Sequence, residues 1–194
     1  MPKKSIVAVS GSASPNSKSS GIVDHAFRRL ADASFSFRNI LLRDLAPEAL
    51  ITARTDDPGL AGAIKAVDEA DGIIFATPIY KASYSGLLKI FIDVLPQYAL
   101  AGKVVLPIAT GGSLGHLLAL DYGLRPVLQS MGARHIVQSL FVTESDMRVD
   151  EGGLRLGEQA DILLSEAVRH FRHAVENAGD DRLLGHPRPA RVAA

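Results

Sequence analysis

The sequence predicts an open α/β sheet of parallel strands with helices packed on both faces. Short apolar runs alternate along it with stretches of helical period, the pattern of repeated βαβ units. One run, Gly72–Ala76, is apolar throughout, as a central parallel strand buried on both faces has to be. The runs near residues 9, 76 and 109 each end in a loop rich in Gly, Ser, Thr or Pro, as loops at the carboxyl edge of such a sheet often are.

Taken in order, Ser5–Val9 is a β-rich run ending in Ser10-Gly11-Ser12. Ile22, Val23, Ala26, Phe27 and Leu30 recur at helical spacing and predict a helix from about Ser19 to Leu30. Ser34–Leu42 reads as the second strand, with Phe35, Phe37 and Asn39 alternating against Ser36, Arg38 and Ile40. A helix around Gly59–Ala70 leads into the third strand, Gly72–Ala76. After Pro78 come a loop and a helix from about Ser85 to Leu95. Lys103–Ala109 is the fourth strand, a long helix spans about Leu114 to Met131, and Arg134–Leu140 is the fifth strand. Residues 142–153 are a polar excursion with a Gly152-Gly153 turn, and Asp161–Val175 is the last helix. Five strands wound in this way form a flavodoxin-like doubly wound sheet in the order 2-1-3-4-5. Residues 1–178 are expected to form one domain; the stretch 179–194, rich in Gly, Pro and Arg and without period, is expected to be a disordered or peripheral tail.

Composition narrows the chemistry. The 194 residues carry 21 basic and 21 acidic side chains, so no net field favours nucleic acid or an anionic membrane. Small molecules and copies of the same chain are the expected partners. With no cysteine, disulfides, thiolate nucleophiles and iron–sulfur clusters are excluded. No apolar run approaches the length of a membrane span, and the expected location is cytoplasmic.

Ligands of doubly wound sheets bind beyond the carboxyl ends of the strands. The first loop there, Ser10 to Ser20, is crowded with hydroxyls and runs into a helix N-terminus. Backbone N–H groups and the positive end of a helix dipole suit a phosphate. Ser10, Ser12, Ser17, Ser19 and Ser20 add neutral donors and Lys18 adds one charge. Gly11 alone does not make a dinucleotide fingerprint, and no Walker sequence is present; a mononucleotide phosphate fits best, against the plainer reading of a Ser-rich turn with an N-cap. In the second loop, which also carries Ile79 and Lys81, Pro78 holds backbone geometry and Tyr80 and Tyr84 offer flat apolar surfaces, with Ser85 as a helix cap and Gly86 permitting close approach; core packing explains the tyrosines equally well. In the third, Thr110, Gly111, Gly112 and Ser113 expose backbone amides able to hydrogen-bond a flavin ring, and His116 lies one turn beyond.

These elements resemble the NADPH-dependent FMN reductase family, in the branch serving flavin-dependent monooxygenases of the alkanesulfonate and EDTA type. The likeness is carried by Gly11-Ser12 with Ser17 through Ser20, by residues 76–86, by Ala109-Thr110-Gly111-Gly112 and by residues 121–128. Gly123-Leu124-Arg125-Pro126 and Met131 through His135 resemble the reductases that serve EDTA monooxygenase. The resemblance implies FMN phosphate in the first loop, the ring against Pro78–Gly86 and Thr110–Ser113, and NADH or NADPH as reductant. It implies a homotetramer, as a dimer of dimers, and a monooxygenase that receives reduced FMN. Ser14 departs from the pattern, because many relatives carry Arg after a Pro there; phosphate binding then leans on Lys18 and the amides.

Pro126 has no N–H for the carbonyl of Tyr122, so a kink or π-type bulge is expected there. The family resemblance adds a π-helix at a tetramer interface, with Tyr122 packing across the boundary near the flavin. An ordinary proline kink is the alternative. Glu166, His170 and His173 share one helical face, but surface polarity explains them and no metal is expected. The flavin itself carries hydride transfer from nicotinamide C4 to flavin N5, so no catalytic acid or base is sought. Two rival functions remain at this level: a quinone or azo reductase that retains FMN, and a flavodoxin-type electron carrier, against which the zero net charge argues.

Overall fold

The computed structural model describes residues 3–178. Strands β1 (Lys4–Ser10), β2 (Phe35–Leu41), β3 (Gly72–Tyr80), the short antiparallel β4 (Ser83–Tyr84), β5 (Val104–Gly111), β6 (His135–Ile136) and β7 (Leu140–Thr143) form one sheet. Its path is β2-β1-β3-β5-β6, with β7 continuing beside β5; every pair along this path is parallel, giving the expected five-position order. Helices α1 (Lys18–Leu30) and α6 (Glu158–Asn177) cover one face, burying Ile22, Val23, Leu164 and Phe171 against Ile6, Ile74 and Leu106. Helices α2 (Pro47–Ile51), α3 (Pro58–Glu69), α4 (Gly86–Val94) and α5 (Arg125–Ser130) cover the other, where Leu60, Leu88, Phe91 and Leu128 pack on Val9, Ile73 and Phe75. Caps set the entries: Ser17, Asp57 and Ser85 each accept the amide three residues on. The fully buried Lys103 ammonium donates to the carbonyls of Asp68 and Ala70, both at 2.7 Å.

Several sequence expectations are corrected. The third strand does not stop at Ala76 but runs to Tyr80. Its neighbour β1 ends opposite Ala76, so Pro78, which cannot donate, lies where β3 pairs on one side only. The expected loop after Pro78 is a two-residue hairpin, with Lys81 and Ala82 at φ of 50° and 61°, the left-handed pair of a primed turn.

The single helix expected over 114–131 is broken. Leu114–His116 is one 3-10 turn capped by the Ser113 hydroxyl, and Leu120–Leu124 is a π-helix leading into α5. The Arg125 amide reaches back five residues to the Leu120 carbonyl, just ahead of the proline that has none to give.

The fifth strand is likewise split into β6 and β7. The Arg125 guanidinium donates to the carbonyls of Ile136 and Val137, at 3.2 and 3.1 Å, and to the Ser139 hydroxyl at 3.0 Å, so these carbonyls find their donor in a side chain.

The polar excursion is a 3-10 turn at Glu144–Asp146 followed by a separate hairpin, β8 (Met147–Asp150) and β9 (Gly153–Leu156). That hairpin lies on α1, where His25 meets the Leu154 carbonyl at 2.7 Å. The 179–194 tail falls outside the described residues. Among those residues no helix is long and apolar enough to cross a membrane, and no three His, Cys, Asp or Glu side chains gather as a metal site requires.

Candidate active site

At the carboxyl end of the sheet, β1 runs into the loop 11–17 and then into the N-terminus of α1. A cleft of about 180 Å³ opens there, lined by Ser12, Ser14, Asn16, Ser17, Lys18 and Ser19 on one side. Pro78, Ile79 and Tyr80 of β3, Thr110 of β5 and Glu144 close the other. Three of the expected loops therefore meet in one depression. The first N–H groups of α1 have no intrahelical acceptor and lie at its positive end.

The loop is held from beneath. Gly11 donates to the Ala76 carbonyl at 2.8 Å and accepts the Ser85 hydroxyl at 2.5 Å. A Cβ on Gly11 would stand 2.8 Å from Leu88 Cβ, so only glycine lets this loop lie against the start of α4. Ser12 accepts the Ser14 amide at 3.2 Å, and the Arg43 guanidinium holds the Ser14 carbonyl, also at 3.2 Å. Ser17 caps α1 through the Ser20 amide at 3.1 Å, and its hydroxyl lies 3.0 Å from that of Ser19. Two small donors and a helix end thus converge on a space suited to an anion, beside the flat apolar wall of Pro78 and Ile79.

Several expected site residues lie elsewhere. Ser10 is fully buried and its hydroxyl donates to the Asn39 side chain at 3.0 Å, so it supports the loop from inside the sheet. Ser20 faces a second cleft of about 270 Å³ behind the loop, with Asn39 and Arg43, and its hydroxyl has no partner. Ser85 is spent on Gly11 and on the Leu88 amide. Lys81 forms the hairpin turn and is outside the cleft lining. Tyr84 is half-buried, burial pushing its hydroxyl pKa up, and it packs near Gly123 of the π-helix. Gly111 is pressed on Phe141, whereas a Cβ on Gly86 or Gly112 would meet only open space, leaving backbone accessible beside the cleft. Ser113 caps the following 3-10 turn, and His116 ends it with a buried, unpartnered Nδ1.

Glu144 was missed by the sequence reading. It lies in the polar excursion 142–153, just past the carboxyl end of β7, and its carboxylate meets the Lys18 ammonium at 2.9 Å. The rule that sites gather at strand ends points to it as directly as to the other loops.

Residues 5–147 match the family described as NADPH-dependent FMN reductase. An FMN reductase (NADPH) of Escherichia coli strain K12 is 43% identical over 142 residues, covering 73% of this chain and 74% of that protein. An FMN reductase (NADPH) of Pseudomonas putida is 42% identical over 147 residues, covering 76% and 75%. Among solved structures, the apo form of the NADH:FMN oxidoreductase EMOB matches with a TM-score of 0.87 at 47% identity, over 98% of this chain and 100% of that one.

Proposed function

The chain belongs to the NADPH-dependent FMN reductase family and is an NAD(P)H:FMN oxidoreductase, and from that premise we propose that the cleft under the α1 N-terminus seats the FMN phosphate. The observation that supports this is the convergence of Ser12, Ser17, Ser19 and Lys18 with a helix N-terminus in one depression. Pro78, Ile79 and Tyr80 give the ring a flat wall, and the open backbone at Gly112 and Gly86 leaves room and amides for its polar edge. Lys81, Tyr84 and Ser113, which the family resemblance assigns to the ring, and His116 lie outside the lining of this cleft. Ser10 and Ser85 act one layer beneath by holding the loop and helix in place, and Ser20 faces the cleft behind the loop.

Bound there with a reduced nicotinamide, the flavin would accept the hydride of nicotinamide C4 at its N5, chemistry that belongs to the flavin. The protein orients the rings, and its amides stabilise the negative charge that develops at the pyrimidine edge. Ser17 and Ser19 hold the phosphate by neutral hydrogen bonds, and Lys18 supplies the positive charge of the seat.

In this reading FMN is a visiting substrate, and reduced FMN leaves for a partner flavin-dependent monooxygenase. A seat with one cation, itself engaged by Glu144, suits a ligand that must depart. We also propose a cytoplasmic homotetramer, a dimer of dimers. Leu114, Leu117, Leu118 and Tyr122 lie exposed around the π-helix, Tyr122 at 79%, and a second copy of this chain is the occupant that the family resemblance supplies.

The test is steady-state oxidation of NADH and of NADPH with and without added FMN, together with the flavin content of the purified protein. Oxidation that saturates with added FMN, in a protein purified nearly flavin-free, is expected. Tightly retained FMN with ping-pong reduction of quinones or azo dyes would assign the alternative, and no nicotinamide oxidation would point to an electron carrier.

A further inference from the structure

The ion pair across the cleft has a consequence for which flavin binds and how readily it leaves. Of the side chains lining the cleft, Lys18 carries the positive charge and Glu144 the negative one, and they are paired with each other. A carboxylate at this position occupies the place where an anion would otherwise meet Lys18 and the positive end of α1.

The placement of Glu144 is built rather than incidental. Its turn follows directly from β7, and the Thr143 hydroxyl bonds the Asp146 carboxylate to close it. The Gly157 amide bonds the Asp146 carbonyl at 2.7 Å, tying the far end of the turn to the start of α6. Lys18 is fixed from the other side as the first residue of α1, next to the Ser17 cap. The pair is nonetheless displaceable: 57% of the Glu144 side chain and 31% of the Lys18 side chain are exposed, so water screens their attraction.

We propose that Glu144 is an internal competitor for the phosphate seat, lowering the affinity for FMN and so speeding its release. The proposal rests on the reading that the cleft holds the FMN phosphate. An arriving phosphate must take Lys18 from Glu144 and then remain beside that carboxylate. Riboflavin, which has the same ring and no phosphate, does not enter this competition. Glu144 therefore narrows the protein's preference for FMN over riboflavin while keeping the flavin exchangeable.

The test is binding of FMN and riboflavin, followed by quenching of flavin fluorescence, to the parent, Glu144→Gln, Glu144→Asp, Lys18→Met, Ser19→Ala and the Lys18→Met/Glu144→Gln pair. Glu144→Gln should bind FMN about three- to tenfold more tightly, with a slower off-rate. Its riboflavin affinity should not change. Glu144→Asp, whose shorter side chain leaves Lys18 but keeps the charge nearby, should gain less. The gain should shrink in the Lys18→Met background, where only direct repulsion remains to be removed. FMN affinity that is unchanged or weaker in Glu144→Gln overturns the proposal, as does an equal gain for riboflavin. If Lys18→Met weakens FMN while Glu144→Gln does nothing, the phosphate seat stands and the competitor role falls. If Lys18→Met and Ser19→Ala both leave FMN affinity unchanged, the phosphate-seat reading fails first, and the proposal with it.

Discussion

The hydroxyl of Ser85 donates to the carbonyl of Gly11 at 2.5 Å and accepts the Leu88 amide at 3.1 Å, so one side chain joins the first loop to the start of α4. Ser85→Ala removes the α4 cap and leaves a buried carbonyl without its donor. It should lower unfolding free energy by about 1–3 kcal/mol, measured by urea titration. FMN affinity should fall with it, because the loop loses its anchor.

Two glycines at the cleft should respond oppositely to the same substitution. Gly11→Ala drives a methyl to within 2.8 Å of Leu88 Cβ and should cost about 1–3 kcal/mol of stability. Gly112→Ala adds its methyl to open space, so the melting temperature should hold. The KM for FMN should nevertheless rise several-fold, because the methyl enters the space proposed for the ring edge.

Deleting Tyr122 removes a residue from the π-helix and lets the segment return to α-helical register. Sedimentation velocity should show loss of the proposed tetramer, and FMN titration should show altered affinity. If both stay as in the parent, the proposed interface role of Tyr122 fails.

Asp32 lies between α1 and β2, where the Ser34 amide donates to its carboxylate at 2.6 Å and Arg172 of α6 pairs with it. The Ser34 amide first, with help from Arg172, holds its pKa below the ordinary carboxylate value. A carboxylate with a lowered folded pKa adds stability above its unfolded pKa and loses it as pH falls through the folded one. Asp32→Asn should therefore unfold at lower urea than the parent at neutral pH. The gap should close on acidification through the carboxylate range.

What was legible in the sequence was whatever local pattern determines. Apolar runs located the five strand positions, and Gly11, the serines of 12–19 and Thr110 marked the cleft because strand-end loops are where such sheets bind. Pro126 announced a kink or π-type bulge near Tyr122, since a missing N–H is a property of one residue, and the family resemblance narrowed that to a π-helix. The split of the fifth strand was not legible, because it depends on Arg125 reaching carbonyls that lie eleven and twelve residues away. Helix α2, at five residues, is too short to show a period. The spent hydroxyls of Ser10 and Ser85 look like those of Ser12 and Ser17 until packing shows which ones face the cleft.

The π-helix also bears on how this surface can change over generations. An extra residue in an α-helix normally turns everything after it by about 100° and ruins the buried face. Here the wide turn takes up the surplus: Leu120, Leu124 and Leu128 stay buried, while Tyr122 stands out at the surface. Arg125, bound to the carbonyls and hydroxyl of 136–139, fixes where the surplus ends. Gain or loss of one codon at this point can thus alter the outer face of the molecule while its interior stays as it was. A lineage can try a new quaternary arrangement there without first surrendering a working fold.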